Sequence, residues 1–509
     1  MLRVVKTENG MVEGIEAADP RITAFKGIPF AAPPVGKNRW RAPQPCENWE
    51  GTLLAHRFAP ISVQDTPGIG DNLYNREWHV DKDIPMDEDC LYLNVWTGAK
   101  SADEKLPVVI WFFGGGLQWG YPAEMEFDGE RVARRGVVVV SVNYRLNVFG
   151  FLAHPEITKE SPDAPSNFGN LDQQAGIKWV KRNIASFGGD PDNITIAGQS
   201  AGGGSVMSQL ACPSNEGLFQ KAIVQSAMIH DPYSGVNICT PIPLDQAEKK
   251  GEEFFEFLGV KTLDEARQLD ALYIRDKYAE YASSHPRMFN VLDGKFCFGD
   301  PIKLFVQNKC IKVPMMSGNT MDEFPNIINA ESDEEYEKKV RDIFGDKADT
   351  FMELAKKYNR NDKPRYARVN GIECTTKAMF LKNEELGNTN DCYYYCFDAD
   401  IPGYDNPGTF HSVELWFFFE TLAKCWRPFV GKHYDLARLM CNYWCNFIKT
   451  GNPNGLDADG TKMPEWIPYT KDTPCSMVFR TDGPVPENKN ETEYVDFLIN
   501  HIKEDLINE

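Results

Sequence analysis

No apolar run in this chain approaches the roughly 20 residues that a membrane-spanning helix needs. The opening MLRVVKTENGMVEG holds none of the apolar core of a signal peptide. These absences point to the cytoplasm, or to a mature form whose leader has been trimmed. Basic residues are also short: 54 Lys and Arg stand against 74 Asp and Glu, a net charge of -20. Such a field repels phosphate backbones and anionic bilayers, so neither nucleic acid nor a membrane is expected as a partner. No CxxC pair occurs. The 13 cysteines are scattered, and Cys392/Cys396 and Cys441/Cys445, four apart, have no neighbouring histidine set. They read as reduced core cysteines, with no metal expected. No repeat, low-complexity block or Pro/Gly/Ser linker divides the 509 residues.

What is present is a series of short apolar runs rich in β-branched and aromatic residues: 91–96 (LYLNVW), 108–113 (VVIWFF), 137–144 (VVVVSVNY), 194–198, 222–226, 313–317 and 392–397 (CYYYCF). They lack polar alternation, as strands covered on both faces do. Helical patterns lie between them, such as 171–187. Strand and helix in turn predict an α/β chain, a mainly parallel sheet with helices on both faces. Residues 245–309 and 333–382 are helical and charged, and read as cap insertions on a single domain spanning 1–509. Residues 434–450 read as a late helix, stopped by GNPNG.

One turn carries the chemistry. Gly198-Gln199-Ser200-Ala201-Gly202 fits G-x-S-x-G between a strand and a helix start. The pattern fits a sharp turn that exposes a serine hydroxyl at a helix N-terminus, where small residues on either side avoid collision. A nucleophilic serine needs a base, an orienting acid and donors for the oxyanion. Phe113-Gly114-Gly115-Gly116-Leu117 follows an early strand and can bring bare backbone N–H groups to a substrate; Ala201 adds another. Of eight histidines, His411 follows the late strand 392–397. The acid should follow strand 313–317, where SGNTMDEF offers Asp322 and Glu323. Trp78, Phe112, Phe113, Trp119, Gln199 and Trp416 are candidates for the substrate pocket.

The chain resembles the type B carboxylesterases, the carboxylesterase/cholinesterase family of α/β-hydrolases, and their bacterial-type members. The resemblance runs through FKGIPFAAPPVGKNRWRAPQP, EDCLYLNVW, the glycine loop, NYRLNVFGFL, the serine turn, NFIKTGNPNG and PEWIPY. It implies the α/β-hydrolase fold and a serine carboxylic-ester hydrolase without a cofactor. It implies Ser200 as nucleophile, Glu323 as acid, His411 as base, and Gly115, Gly116 and Ala201 as oxyanion donors. It also implies an ion pair between Glu88 and Arg145 and a supporting role for Glu414. Three departures stand out. Phe113 replaces a common His or Tyr, and Gln199 replaces a glutamate. Ser62 stands where the disulfide partner of Cys90 belongs, so that bridge is expected to be absent. The expected substrates are neutral short- or medium-chain or aromatic esters. A lipase acting on longer acyl esters is the nearer alternative, and a non-catalytic cholinesterase-like binding protein the remoter one. Nothing in the sequence separates monomer from homodimer.

Overall fold

The structure is a computed structural model. It describes all residues except 231–232, 234–239, 324–326, 359–363, 489–490 and 509. Eleven strands form one sheet: β1 Ile15–Glu16, β2 Thr23–Pro29, β3 Tyr92–Thr97, β4 Leu106–Phe112, β5 Val138–Val142, β6 Gly189–Gln199, β7 Lys221–Gln225, β8 Met315–Thr320, β9 Cys392–Asp398, β10 Cys475–Arg480 and β11 Gly483–Asn488. Their order across the sheet is β11-β10-β9-β8-β7-β6-β4-β5-β3-β2-β1. Every pairing from β5 through β10 is parallel, and the pairings beyond them are antiparallel.

The strands legible as apolar runs are the central ones, β3 to β9, of which all but β3 pair in parallel. β5 and β7 are buried at every residue, because helices cover both faces. The four edge strands β1, β2, β10 and β11 are absent from the sequence reading. β2 carries an internal glycine and a register shift between Phe25 and Ile28. β11 contains Pro484 and Pro486, which an edge strand tolerates because one side needs no ladder N–H.

The main helices are α1 Phe168–Asn183, α2 Ala201–Leu210, α3 Leu244–Leu258, α4 Ala271–Ala282, α5 Asp333–Phe344, α6 Ala348–Tyr358, α7 Gly371–Glu385, α8 Gly431–Thr450 and α9 Glu493–Asn508. Gly451 ends α8 at φ 81°, a left-handed cap that favours glycine. The two expected insertions differ in use. Phe289, Asn290, Pro301 and Ile302, from the first, line a cavity at Ser200. The second contributes α5, α6 and most of α7, which pack with α9, and no described residue of 333–382 lines either cavity at Ser200. No helix of the described residues is long and apolar enough to cross a membrane.

Candidate active site

β6 ends at Gln199 and α2 begins at Ala201, leaving Ser200 alone at the join with φ 55° and ψ -127°. That backbone costs a non-glycine residue about 1–3 kcal/mol. It is held by the Ser200 N–H donating to the Gln225 carbonyl on β7 at 2.9 Å, and by the Gly204 N–H donating to the Ser200 carbonyl at 2.9 Å. The surrounding glycines are dictated by contact. A Cβ on Gly202 would lie 2.0 Å from the Phe112 carbonyl oxygen, and one on Gly198 2.3 Å from that of Gly202. One on Gly114 would meet the Gln199 carbonyl oxygen at 2.8 Å and the Ser200 Cβ at 3.1 Å. The glycine loop after β4 is thus pressed against the serine turn. Gly115 and Gly116 have φ of 103° and 62°. Ala201, first in α2, has an N–H without an intrahelical partner.

The loops after β8 and β9 are laced together by Asp322. Its N–H reaches the Thr409 carbonyl at 3.3 Å, and its Oδ2 accepts the Thr409 N–H at 2.9 Å. Asp322 and Phe410 form an isolated parallel bridge. One residue further along each loop, Glu323 and His411 meet: Glu323 Oε2 lies 2.5 Å from His411 Nδ1. The Asp322 carboxylate itself is taken by Arg368 at 2.5 Å and by the Thr409 hydroxyl, which hold its pKa down although burial opposes them. The ambiguity between the two acids is therefore a division of labour: Asp322 ties the loops and Glu323 faces the imidazole. Burial works against protonating His411, but the charge and hydrogen bond of Glu323 outweigh it and raise its pKa. The other ring nitrogen, Nε2, lies 3.2 Å from Gln199 Nε2. With Nδ1–H given to Glu323, the amide donates to the Nε2 lone pair.

Glu414 is fully buried three residues on. Its Oε1 accepts weakly from Ser226 Oγ and Tyr395 OH, each at 3.4 Å, and Oε2 has no partner. Burial, then the charge of Glu323, pushes its pKa up to about 7.

Two cavities meet at Ser200. The narrow one, of about 40 Å³, is lined by Leu117, Met207, Ala227, Ile229, Phe289 and Ile302 among others. The wide one, of about 500 Å³, includes Gly115, Gly116, Trp78, Trp119, Gln199 and His411.

Several expectations need correcting. Phe113 and Trp416 line neither cavity: Phe113 stacks on Tyr144 with centroids 4.3 Å apart, and Trp416 is wholly buried against Trp78. Phe112 lies wholly in the core. Glu88 and Arg145 do not pair with each other. Glu88 takes the Arg39 guanidinium at 2.5 Å, and Arg145 is forked onto Asp172 at 2.7 Å. Arg39 also donates to the carbonyls of Ala266 and Leu269, so the Glu88 pair anchors the first insertion, while Arg145 pins the start of α1. Cys90 is a buried free thiol beside Ser62. Sequence reasoning missed Glu124, Glu126 and His79, which line the wide cavity. Two glutamates in the apolar stretch AEMEF are the signal, and no motif marks them.

The model of the carboxylesterase family matches residues 2–497. The chain belongs to the carboxylesterase family. It is 32% identical over 477 residues to a fumonisin B1 esterase of Sphingopyxis macrogoltabida, covering 90% of this chain and 83% of that one. It is 31% identical over 514 residues to the para-nitrobenzyl esterase of Bacillus subtilis (strain 168), covering 96% and 97%. A solved PNB esterase structure superposes with a TM-score of 0.79 at 28% identity, over 98% of this chain and 99% of that chain. A Geobacillus stearothermophilus carboxylesterase gives 0.75 at 29%, over 98% and 100%. The fold of this family member is the α/β-hydrolase fold, and its activity is carboxylic ester hydrolysis.

Proposed function

We propose that this carboxylesterase works through Ser200, His411 and Glu323 and an acyl-enzyme intermediate. The reading is carried by one observation: His411 is held by Glu323 at Nδ1 while its Nε2 faces the turn that bears Ser200. His411 Nε2 takes the Ser200 proton as Oγ attacks the ester carbonyl. Glu323 fixes the tautomer and stabilises the imidazolium. The N–H groups of Gly115, Gly116 and Ala201 receive the oxyanion. His411 then gives its proton to the departing alkoxide, and water repeats the sequence to free the acid. No metal or organic cofactor takes part.

Proton delivery also orients the substrate. The leaving oxygen must lie on the His411 side, and His411 lines the wide cavity and not the narrow one. The acyl part therefore enters the narrow apolar cavity and the leaving group the wide one. The substrates are esters of short acyl chains with larger, often aromatic, alcohols. Next to the ester bond the leaving group is neutral, since Gln199 supplies no charge there. A long-chain lipase reading is disfavoured by the size of the narrow cavity. The free Cys90 supports residence in the cytoplasm. The test is covalent trapping. An organophosphate should add to Ser200 alone and abolish hydrolysis, and a chelator should leave the rate unchanged. Labelling elsewhere, or metal-restored activity after chelation, overturns the mechanism.

A further inference from the structure

The wide cavity carries more acid than ester hydrolysis uses. Asp65, Glu124 and Glu126 line it, and its described lining includes no lysine or arginine. Glu126 sits on the short turn Met125–Phe127 and is fully buried. Neither of its carboxyl oxygens takes a hydrogen bond from another residue's N–H or O–H. Its carboxyl lies against that of Glu124. Glu124 is already engaged: its Oε1 accepts the Tyr121 N–H at 2.8 Å and faces His79 Nε2 at 3.4 Å. Burial opposes the charge on His79, but Glu124 outweighs it and raises the imidazole pKa, which favours the charged ring beside that carboxylate. Burial, then the charge and hydrogen bond of Glu124, raise the Glu126 pKa well above the ordinary carboxyl range and favour its protonated form. Its contact with Glu124 leaves both carboxyl oxygens without a donor from any other residue, and they border a cavity with room for a ligand.

We propose that Glu126, backed by Glu124, is a binding site for a protonated primary or secondary amine on the leaving-group part of the ester. The inference rests on the reading above that the wide cavity takes the leaving group. The ammonium N–H groups donate to the two Glu126 oxygens, and Glu126 releases its proton to solvent. Glu124 stays with His79. Tyr74, Trp78 and Phe127 line the same cavity and offer aromatic surface to the cation. A quaternary ammonium brings charge without an N–H donor and leaves those oxygens unmet. An aliphatic amine, with an ordinary pKa near 10, arrives charged at neutral pH.

The experiment uses matched esters that differ by one N–H-bearing group: 6-aminohexyl acetate against heptyl acetate, and 4-(aminomethyl)benzyl acetate against 4-ethylbenzyl acetate. At pH 7.5 the amine member of at least one pair should have a kcat/KM about tenfold higher. Glu126→Gln should bring that ratio close to one. Binding without turnover separates this inference from the mechanism. Calorimetry on the Ser200→Ala protein should find 6-aminohexanol binding at least about tenfold tighter than heptanol, with the difference removed by adding Glu126→Gln. Equal kcat/KM within both pairs, equal binding of the two alcohols, or a preference that survives Glu126→Gln overturns the amine site. Binding that behaves as expected beside a Ser200→Ala enzyme of near-normal activity would instead overturn the mechanism and leave the site standing.

Discussion

At the scale of single residues, the site divides its carboxylates by what each one touches. Glu323 faces the imidazole and Asp322 holds the loops. Ser200→Ala and Glu323→Gln should therefore each cut kcat/KM severely, by about 10⁴-fold for the serine, while both proteins still melt cooperatively. Asp322→Asn should cost less activity and more stability, because it releases Arg368 and Thr409 and leaves the Glu323 contact to be made. A larger activity loss for Asp322→Asn than for Glu323→Gln would reassign the acid. The pH profile follows from His411. Its pKa is raised, and only the neutral ring accepts the serine proton, so activity falls with falling pH and the acid limb lies above the ordinary histidine value of about 6.5. Glu323→Gln removes the stabilising charge and should move any residual limb downward. Glu414 gives a stability prediction of opposite origin. Its folded pKa is raised from 4.5 to about 7, so the folded state holds this proton more tightly than the unfolded chain. The wild type is unpenalised below pH 4.5, loses stability through this group as pH rises from there to about 7, and loses no more above it. Glu414→Gln should make the protein more stable at pH 8 by about 3 kcal/mol, with the gap closing near pH 4 in urea titrations.

At the scale of elements, the active geometry is an encounter of three loops with one turn. The glycine loop after β4 and the start of α2 approach so closely that no Cβ fits between them. Gly202→Ala forces a Cβ onto the Phe112 backbone and should lower both melting temperature and turnover. Gly114→Ala meets the Gln199 carbonyl and should lower turnover more than stability, since the loop itself can retreat. Equal activity of either variant with wild type would mean that the contact is not needed. In the proposed reading the acyl chain lies between α2 and the first insertion, where Phe289 and Met207 line one small cavity. Phe289→Ala widens it, so the ratio of kcat/KM for hexanoate over acetate esters should rise by about tenfold or more. An unchanged acyl profile would place the acyl chain elsewhere.

At the scale of the whole molecule, ester hydrolysis is carried by an eleven-stranded sheet whose parallel centre delivers β4, β6, β8 and β9 to one edge. Ser200, Glu323, His411 and the glycine loop follow those four strands. The described cysteines are free, and Cys90 is buried with its thiol pKa raised by burial. Without reductant, Cys90 should react with iodoacetamide only after unfolding, as read by mass spectrometry of its peptide. A bridge from Cys90 to Cys46 would overturn both the free thiol and the argument for a reducing compartment.

The sequence by itself determined the α/β class, the central strands, the serine turn, the glycine loop and the histidine. Each rests on local physics: continuous burial writes an apolar run, and a tight turn admits only small residues. Local pattern narrowed the acid to two neighbours that follow the same strand, and the family resemblance picked Glu323 without giving Asp322 a role. Only the tertiary structure decided that Asp322 spends its carboxylate on Thr409 and Arg368 while Glu323 meets His411. It also decided that Glu88 belongs to Arg39 and Arg145 to Asp172, that Phe113 and Trp416 are core, and that Glu124 and Glu126 face a cavity. A carboxylate's role is set by which donor lies within about 3 Å of it. Donors from remote segments come that close only when the chain has closed.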